Sequence, residues 1–396
     1  MREVFIVDSV RTPIGTFGGA LKDHSSVDLA AHVMTASLER SGVKGANLDL
    51  YIFGNVLRAG QGQLIPRQAA FKAGIPETVD GFSIDMVCSS GMMSVMQAAT
   101  LIRAGEADLI MAGGTESMSG TGFYLSHRAR WGYKFLMGNP EGLTDLLLYD
   151  GLTDPMSGEA MGVQTERLAA EKGITREQLD EVALMSHTRA EKAWSTCAFD
   201  AEVAPIDYKV RRDMVSLTKD EGIRPETTTE SLTKLRPAFD KAGVLTAGNS
   251  SQISDGACAL MIASSEAVKK YGLKPIARIM ASSWSSGLPW RFAEAPIPSV
   301  QNVLKKLNLS MSDFDLVENN EAFSINTVLM KDMLGVSYDK MNVNGGAIAL
   351  GHPIGASGAR ILGTLAHALV NRGLERGMAS ICHGTGGGTA IAIEHV

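Results

Sequence analysis

Phe82 to Gln97 reads FSIDMVCSSGMMSVMQ. An apolar run of Ile84, Met86 and Val87 breaks at Cys88, and the small residues Ser89, Ser90 and Gly91 follow. Met92, Met93, Val95, Met96, Ala98, Ala99, Leu101 and Ile102 then continue at helical spacing. The pattern predicts a strand, a sharp turn and a helix, with the cysteine at the joint. A thiol at that joint lies beside the unpaired N–H groups and the positive dipole end of a helix, so its pKa is expected to fall toward the nucleophilic thiolate. Such a position suits a covalent catalyst. A buried cysteine packed as a small hydrophobe fits the same letters, and only partners elsewhere in the chain separate the two readings.

Working outward, the same texture repeats. Residues 3 to 8 (EVFIVD) read as a buried strand, a glycine-rich loop follows through Gly19, and Val27 to Leu38 reads as a helix. Asp49 to Val56 is a second strand, Arg67 to Ala73 a short helix, and Asp108 to Ala112 a strand running into Gly113-Gly114-Thr115-Glu116-Ser117. Strands alternating with helices predict a mostly parallel sheet covered on both faces. From Met118 to about Gln252 the chain turns charged and irregular before helices such as Thr175 to Trp194, which marks an insertion suited to capping a site or making oligomer contacts.

Ser254 to Ser264 and Pro275 to Ser282 return to strand texture. The last third then gives a helix at Ser299 to Leu307, a strand end at Leu316 to Asn319, a helix at Ala322 to Met333 and a strand at Met341 to Asn344. A glycine-rich loop is expected from Gly345 to Gly358, then a helix at Ala359 to Val370 and a strand at Met378 to Cys382. Both ends of the chain thus share an order of strand, small-residue turn, helix, R-x-G, strand and glycine-rich turn. Two related α/β halves are expected, with a site where the ends of their strands meet. By residue number the halves are 1–117, completed by about 253–274, and 275–396, with 118–252 inserted.

Composition narrows the function. At 396 residues and 45% hydrophobic content the chain can bury more than one core. A net charge of -6 without basic clusters gives no case for nucleic acid or a membrane surface. No charged-then-apolar leader and no apolar run near the length of a membrane span is visible, which points to a cytoplasmic protein. Four cysteines, at 88, 197, 258 and 382, lack C-x-x-C spacing, so free thiols in a reducing compartment are expected rather than disulfides or a zinc site.

Three further stretches carry chemistry. In NGGAIALGHPIGASGAR, Asn344 to Arg360, His352 lies among five glycines, a setting that permits close approach of a ligand or another segment. Cys382-His383-Gly384-Thr385-Gly386-Gly387-Gly388 places a second thiol beside free backbone N–H groups able to bind an oxyanion. Neighbours in an extended segment point to opposite faces, so Cys382 and His383 are not expected to reach one site. Glu318-Asn319-Asn320-Glu321-Ala322-Phe323 joins a strand end to a helix, where Asn320 is either a cap or a donor to a carbonyl oxygen.

CSSG, N-E-A-F, G-H-P-I-G-A-S-G and the C-x-G-x-G-G-G end, in this order, resemble the thiolase family, as do VRTPIG, GEAD…AGGTESMS and TAGNSSQISDGA at Thr246 to Ala257. The resemblance covers nearly the whole chain. It implies a five-layered αβαβα fold of two similar halves with a loop domain inserted in the first. It also implies thiolysis of a 3-ketoacyl-CoA or its reverse, Claisen condensation of two acyl-CoA molecules, with coenzyme A thioesters as substrates and no cofactor.

By motif match Cys88 would be the acyl-carrying nucleophile, activated by His352, and Cys382 would remove or return the α-proton. Asn320 would hold a water that forms one oxyanion hole with His352, and the N–H groups of Cys88 and Gly384 would form the other. Arg224 and Ser231 would meet the adenine end of coenzyme A, with Leu152, Met161, Ala247 and Ser251 along the pantetheine and Phe292 and Phe323 lining the acyl pocket. Several positions depart from the family pattern: Asp85 replaces an Asn, Ala160 a His, and His383 and Thr385 interrupt the commoner C-I-G-G-G ending. A carboxylate at Asp85 would oppose thiolate formation if buried near it.

The insert, particularly Trp131 to Asp154, looks more like the short-chain, tetrameric branch, and bulky Phe292 agrees with a small acyl pocket. The expectation is therefore an acetyl-CoA-condensing enzyme, a homotetramer or dimer, with a downstream enzyme consuming acetoacetyl-CoA. The alternatives are a degradative 3-ketoacyl-CoA thiolase, a decarboxylating condensing enzyme and a non-catalytic acyl-CoA carrier or scaffold.

Overall fold

A computed structural model describes residues 2–133 and 142–396. Nine strands form one hydrogen-bonded path. In chain order they are β1 (Val4–Arg11), β2 (Leu50–Gly54), β3 (Asp80–Ile84), β4 (Leu109–Ser117), β5 (Ser254–Ser264), β6 (Ala277–Ser286), β7 (Leu316–Asn319), β8 (Arg376–His383) and β9 (Gly387–His395). Their order in space is β7-β8-β9-β6-β1-β5-β4-β2-β3.

The sheet is mixed rather than mostly parallel. β3, β2 and β4 run parallel, as do β7 and β8, but every pairing from β8 through β9, β6, β1 and β5 to β4 is antiparallel. Strand–helix alternation misled here because β5 enters the sheet only after the long insertion, and β8 turns straight back into β9 without a crossover helix.

The seam between β1 and β6 holds only Phe5 against Arg278 and Ile6 against Ala277. On each side of it the pattern repeats: β1, β5, β4, β2, β3 against β6, β9, β8, β7 and, in the last place, a single parallel bridge of Met341 to Val317. The strand expected at Met341 to Asn344 thus shrinks to one bridge, and the Asn342 side chain bonds the β7 backbone at Asn319 instead.

The helices that order the layers are α1 (Ser26–Ser41), α2 (Ser90–Ala104), α3 (Met161–Lys172), α4 (Arg176–Ser195), α5 (Pro296–Leu307), α6 (Ser324–Leu334) and α7 (Ile354–Arg372). α1 starts at a Ser25/Asp28 capping box and ends at Gly42 in the left-handed region, and it covers one outer face against β1, β4 and β5. α5 covers the opposite outer face on β6, β8 and β9. Between the two half-sheets lie α2 and α7, packed on each other. The result is the five-layered αβαβα arrangement.

α7 is buried on every side from Ile354 to Leu369, as a helix in a central layer must be. It begins five residues before the expected Ala359, and Ala347–Leu350 forms a further short helix, so the stretch expected as a loop is largely helical. The glycines there serve close packing. A Cβ on Gly91 would come within 2.9 Å of the Ala359 nitrogen, and one on Gly358 within 2.4 Å of the Met92 nitrogen. One apolar core, including Ile52, Met92, Ile110 and Leu260 from the first half and Ile361, Leu365, Ile381 and Ile391 from the second, welds the halves together.

Candidate active site

The turn after β3 is held in an uncommon conformation. Val87, the residue before the cysteine, has φ +48, a costly value for a β-branched side chain and the sort of strain that marks functional turns. Ser90 clamps it: its Oγ accepts from the Met86 N–H at 2.8 Å and donates to the Val87 carbonyl at 2.6 Å. Cys88 therefore stands two residues ahead of α2, as the letters predict. The turn is tied to the other half through Ser89, whose Oγ accepts from Thr389 Oγ1 at 3.1 Å.

The corresponding turn of the second half carries His352. Gly351, at φ +109, and Pro353 bracket it at the start of α7. Its N–H donates to the Gln252 carbonyl at 3.1 Å, its Nδ1 lies 2.6 Å from Ser357 Oγ, and its Nε2 lies 3.3 Å from Asn320 Nδ2. Ser357 Oγ donates to the Pro353 carbonyl at 2.9 Å, so it accepts from Nδ1–H and leaves Nε2 free to accept a proton. Asn320 follows β7 directly, its N–H bonded to Ser380 O at 2.9 Å, and its Oδ1 is buried without a protein partner.

Cys382 closes the group from the end of β8. It is buried and accepts from Asn326 Nδ2 at 3.4 Å. It lies close enough to Cys88 that charge on the Cys88 sulfur pushes the Cys382 thiol up. The backbone N–H of Gly384 reaches Cys88 from the following turn. Two sulfurs, one imidazole, one amide and a free N–H thus converge from both halves.

The electrostatics differ from expectation at Cys88. Burial pushes its thiol up to about 12, against a downward pull from the Gly384 N–H and its own backbone N–H, and Glu116 adds to the rise. Desolvation outweighs the helix terminus, so Cys88 rests as the thiol. Burial also pushes Cys382 up. It lowers His352 to about 3, with help from the buried Arg360, so the imidazole is neutral at physiological pH and able to accept a proton.

The carboxylate feared at Asp85 acts elsewhere: it pairs with Arg58 at 3.1 Å on the exposed side and accepts from the Val87 N–H at 3.2 Å. Glu116, which does act on Cys88, accepts from Asn55 Nδ2 and from the backbone N–H groups of Val56, Leu57 and Gly355. His383 is turned away as alternation requires. Its Nδ1 contacts the Gly384 carbonyl at 2.6 Å, and its ring packs where a Gly387 Cβ would stand.

Phe292 and Phe323 meet edge-on at 6.3 Å and share one apolar cluster with Cys382 and Met161. Leu152 packs in a second cluster beside Cys88 and Ile354. Ser251 donates its N–H to the Ala322 carbonyl at 3.0 Å. Arg224, Ser231 and Ala247 are exposed and outside these clusters. The Ser231 hydroxyl is occupied in the cap of a short helix at Thr229–Thr233, and Arg224 N–H is bonded to His187 Nδ1. Ala160 is the exposed N-cap of α3. Within the insert, residues 134–141 of the Trp131 to Asp154 stretch lie outside the described residues.

Sequence reasoning missed Ser90, Ser357, Glu116 and Asn326. The spacing of Ser357 one helical turn past Pro353 was a usable signal; the others required the halves to be assembled.

Residues 4–266 match the family described as "Thiolase, N-terminal domain", and residues 273–395 match "Thiolase, C-terminal domain". An acetyl-CoA acetyltransferase from Synechocystis sp. is 65% identical over 396 residues, covering 100% of both chains. The crystal structure of human mitochondrial 3-ketoacyl-CoA thiolase superposes with a TM-score of 0.95 at 38% identity, covering 100% of this chain and 99% of that one. That of Acat5 thiolase from Ascaris suum in complex with coenzyme A gives 0.92 at 38% identity, covering 100% of each.

Proposed function

The chain belongs to the thiolase family, and from that membership we propose that it condenses two acetyl-CoA molecules into acetoacetyl-CoA and CoA, reversibly, through an acetyl group carried on Cys88. The observation that carries this reading is the convergence of Cys88, His352, Asn320 and Cys382 at the junction of the halves.

The chemistry runs in two stages. Cys88 attacks the thioester carbonyl of the first acetyl-CoA while His352 Nε2 takes the thiol proton, which then passes to the departing CoA sulfur. The oxyanion formed on the way is held by the N–H groups of Cys88 and Gly384, the latter already directed at the sulfur. A second acetyl-CoA then gives its α-proton to the thiolate of Cys382. The enolate oxygen is stabilised by a water that Asn320 holds against His352 Nε2, the water donating one proton to that nitrogen and the other to the enolate. The carbanion attacks the acetyl carbon on Cys88, the carbon–sulfur bond breaks, and Cys382 returns its proton to the Cys88 sulfur. Atoms balance: two acetyl-CoA yield one acetoacetyl-CoA and one CoA.

Coenzyme A would lie along the insert, with Leu152, Met161, Ala247 and Ser251 beside the pantetheine and Arg224 and Ser231 at the rim near the adenine. Phe292 and Phe323, both buried in one cluster with Cys382, would wall a small acyl pocket. This favours acetyl over the longer chains of a degradative thiolase. Residues 1–117 with 253–274 and residues 275–396 would form the two halves, and 118–252 the loop domain.

Exposed apolar side chains at Phe123, Tyr124, Trp131, Leu143, Leu148 and Tyr149 support self-association of that loop domain, as in a tetramer. No helix of the described residues is long and apolar enough to cross a membrane, in keeping with a cytoplasmic enzyme that passes acetoacetyl-CoA to a further enzyme.

The test is kcat/KM for 3-ketoacyl-CoA substrates of about four to twelve carbons. The highest value is expected at four. A maximum at eight or more would favour the degradative reading, and no CoA-dependent cleavage at any length would favour a carrier.

A further inference from the structure

The second thiol has a difficulty that the four matched residues do not resolve. It must be a thiolate to take a carbon-bound proton, yet burial and its neighbour Cys88 both oppose the charge. Asn326, one turn into α6, is the side chain that works against them. It is 1% exposed, and all of its polar capacity is committed. Its Oδ1 accepts from the Phe323 N–H at 3.0 Å, while its Nδ2 donates to the Ala293 carbonyl at 3.0 Å and lies 3.4 Å from Cys382 Sγ.

These partners fix the orientation of the amide. The Phe323 N–H requires an acceptor and the Ala293 carbonyl requires a donor, so the amide cannot be reversed. An N–H must face the sulfur.

A purely structural account would make Asn326 the N3 residue whose side chain accepts from the N-cap Phe323 N–H at the start of α6. That task uses Oδ1 alone. The second N–H, aimed at a thiol that the proposed chemistry must ionise, is surplus to it.

We propose that Asn326 is a positioning residue for the reaction: its amide N–H holds the Cys382 sulfur toward the junction and stabilises its thiolate, an inference that rests on the base role given above to Cys382. The donor comes from the helix after N-E-A-F, and its other proton is bound at Ala293, next to Phe292. The amide therefore links the acyl-pocket wall to the sulfur that removes the proton.

The titratable groups around this sulfur are few. Cys88 faces it from the turn before α2. His352 is neutral. His383, on the same strand, is bound to the Gly384 carbonyl. Glu321, beside Asn320, is occupied by Ser186 and Asn342. Glu116 acts on Cys88 rather than on Cys382. None supplies the donor that Asn326 does.

The experiment measures alkylation of Cys382 by iodoacetamide against pH, read by peptide mass spectrometry on the full chain. Cys88→Ser is the parent, and Asn326→Asp and Asn326→Ala are added to it. Asn326→Asp keeps the Oδ1 cap and so protects folding, but it removes the donor.

In both variants the half-reaction pH should rise by on the order of one unit or more. An unmoved midpoint overturns the proposal. With Cys88 intact, acetyl exchange between acetyl-CoA and labelled CoA should stay within about threefold while condensation falls at least about tenfold. An equal fall in both would also overturn it. Failure of the unsubstituted protein to condense acetyl-CoA would contradict the proposed function instead, and the alkylation midpoint would still decide the role of Asn326.

Discussion

The two halves of the molecule share a frame and spend it differently. Asn55 follows β2, Glu116 lies next to the end of β4, and β3 leads through a turn to Cys88 and α2. In the second half the same places hold Asn320 after β7, Cys382 in β8, and His352 before α7. In the first half the polar groups gather on Glu116, which accepts from Asn55 Nδ2, from the Val56 and Leu57 N–H groups and, across the junction, from the Gly355 N–H, while Asn55 Oδ1 is buried without a protein partner. In the second half the Asn320 amide, its Oδ1 likewise buried without a protein partner, faces His352 Nε2 instead of a carboxylate, and that nitrogen is open to a proton. Only the first half bears the long insertion, between β4 and β5. On the proposed function, one half would supply the nucleophile and the elements for binding, and the other the acid–base and oxyanion groups.

Substitutions at matched positions break or sharpen this contrast. Cys88→Ala should lower condensation and thiolysis by about a thousandfold or more, because no other group can carry the acyl chain; single-turnover kinetics check it. Its counterpart, His352→Ala, should cost about a thousandfold in kcat by removing both the proton acceptor and the group that orients the oxyanion-site water. Asn320→Ala should cost roughly a hundredfold in kcat with little change in the unfolding midpoint.

The halves should also differ in pH response. His352, lowered to about 3, stays neutral across the working range, so acetyl exchange on Cys88 should show no step near the usual histidine pKa of about 6.5. Condensation needs the Cys382 thiolate, and burial pushes that thiol up. Its ionised fraction is small at neutral pH and grows as pH rises, so condensation should increase by about tenfold or more between roughly pH 6 and 9. The smallest effect on rate is expected at Asn55→Ala. The partner of Asn320 in the first half should leave kcat within about threefold, yet destabilise the fold by about 2 kcal/mol by stripping a donor from buried Glu116.

Much of this was legible in the letters where local pattern and burial agree. The strand-turn-helix around Cys88 is one such place, and the all-buried run of β5 is another. Reading failed where tertiary contacts overrode local propensity. The glycines of 345–358 read as loop, but Gly355 packs against Glu116 and Gly358 against Met92 of α2, close approaches that only the assembled halves reveal. The Met341 strand shrank to one bridge because the Asn342 side chain, rather than a backbone ladder, takes up the Asn319 N–H and carbonyl of β7.

The sign of the Cys88 shift was wrong for a related reason. A helix terminus is visible in sequence, whereas desolvation by a second half about 300 residues away is not. Asn326 read as an ordinary helix residue because its sulfur partner lies on β8, 56 positions further on.

The most direct test is rapid quenching of the protein with acetyl-CoA, followed by peptide mapping. The peptide containing Cys88 should gain one acetyl group, which is discharged on addition of CoA. Acetyl appearing on Cys382 or Cys258 instead, or none on any residue while acetoacetyl-CoA still forms, would contradict the account.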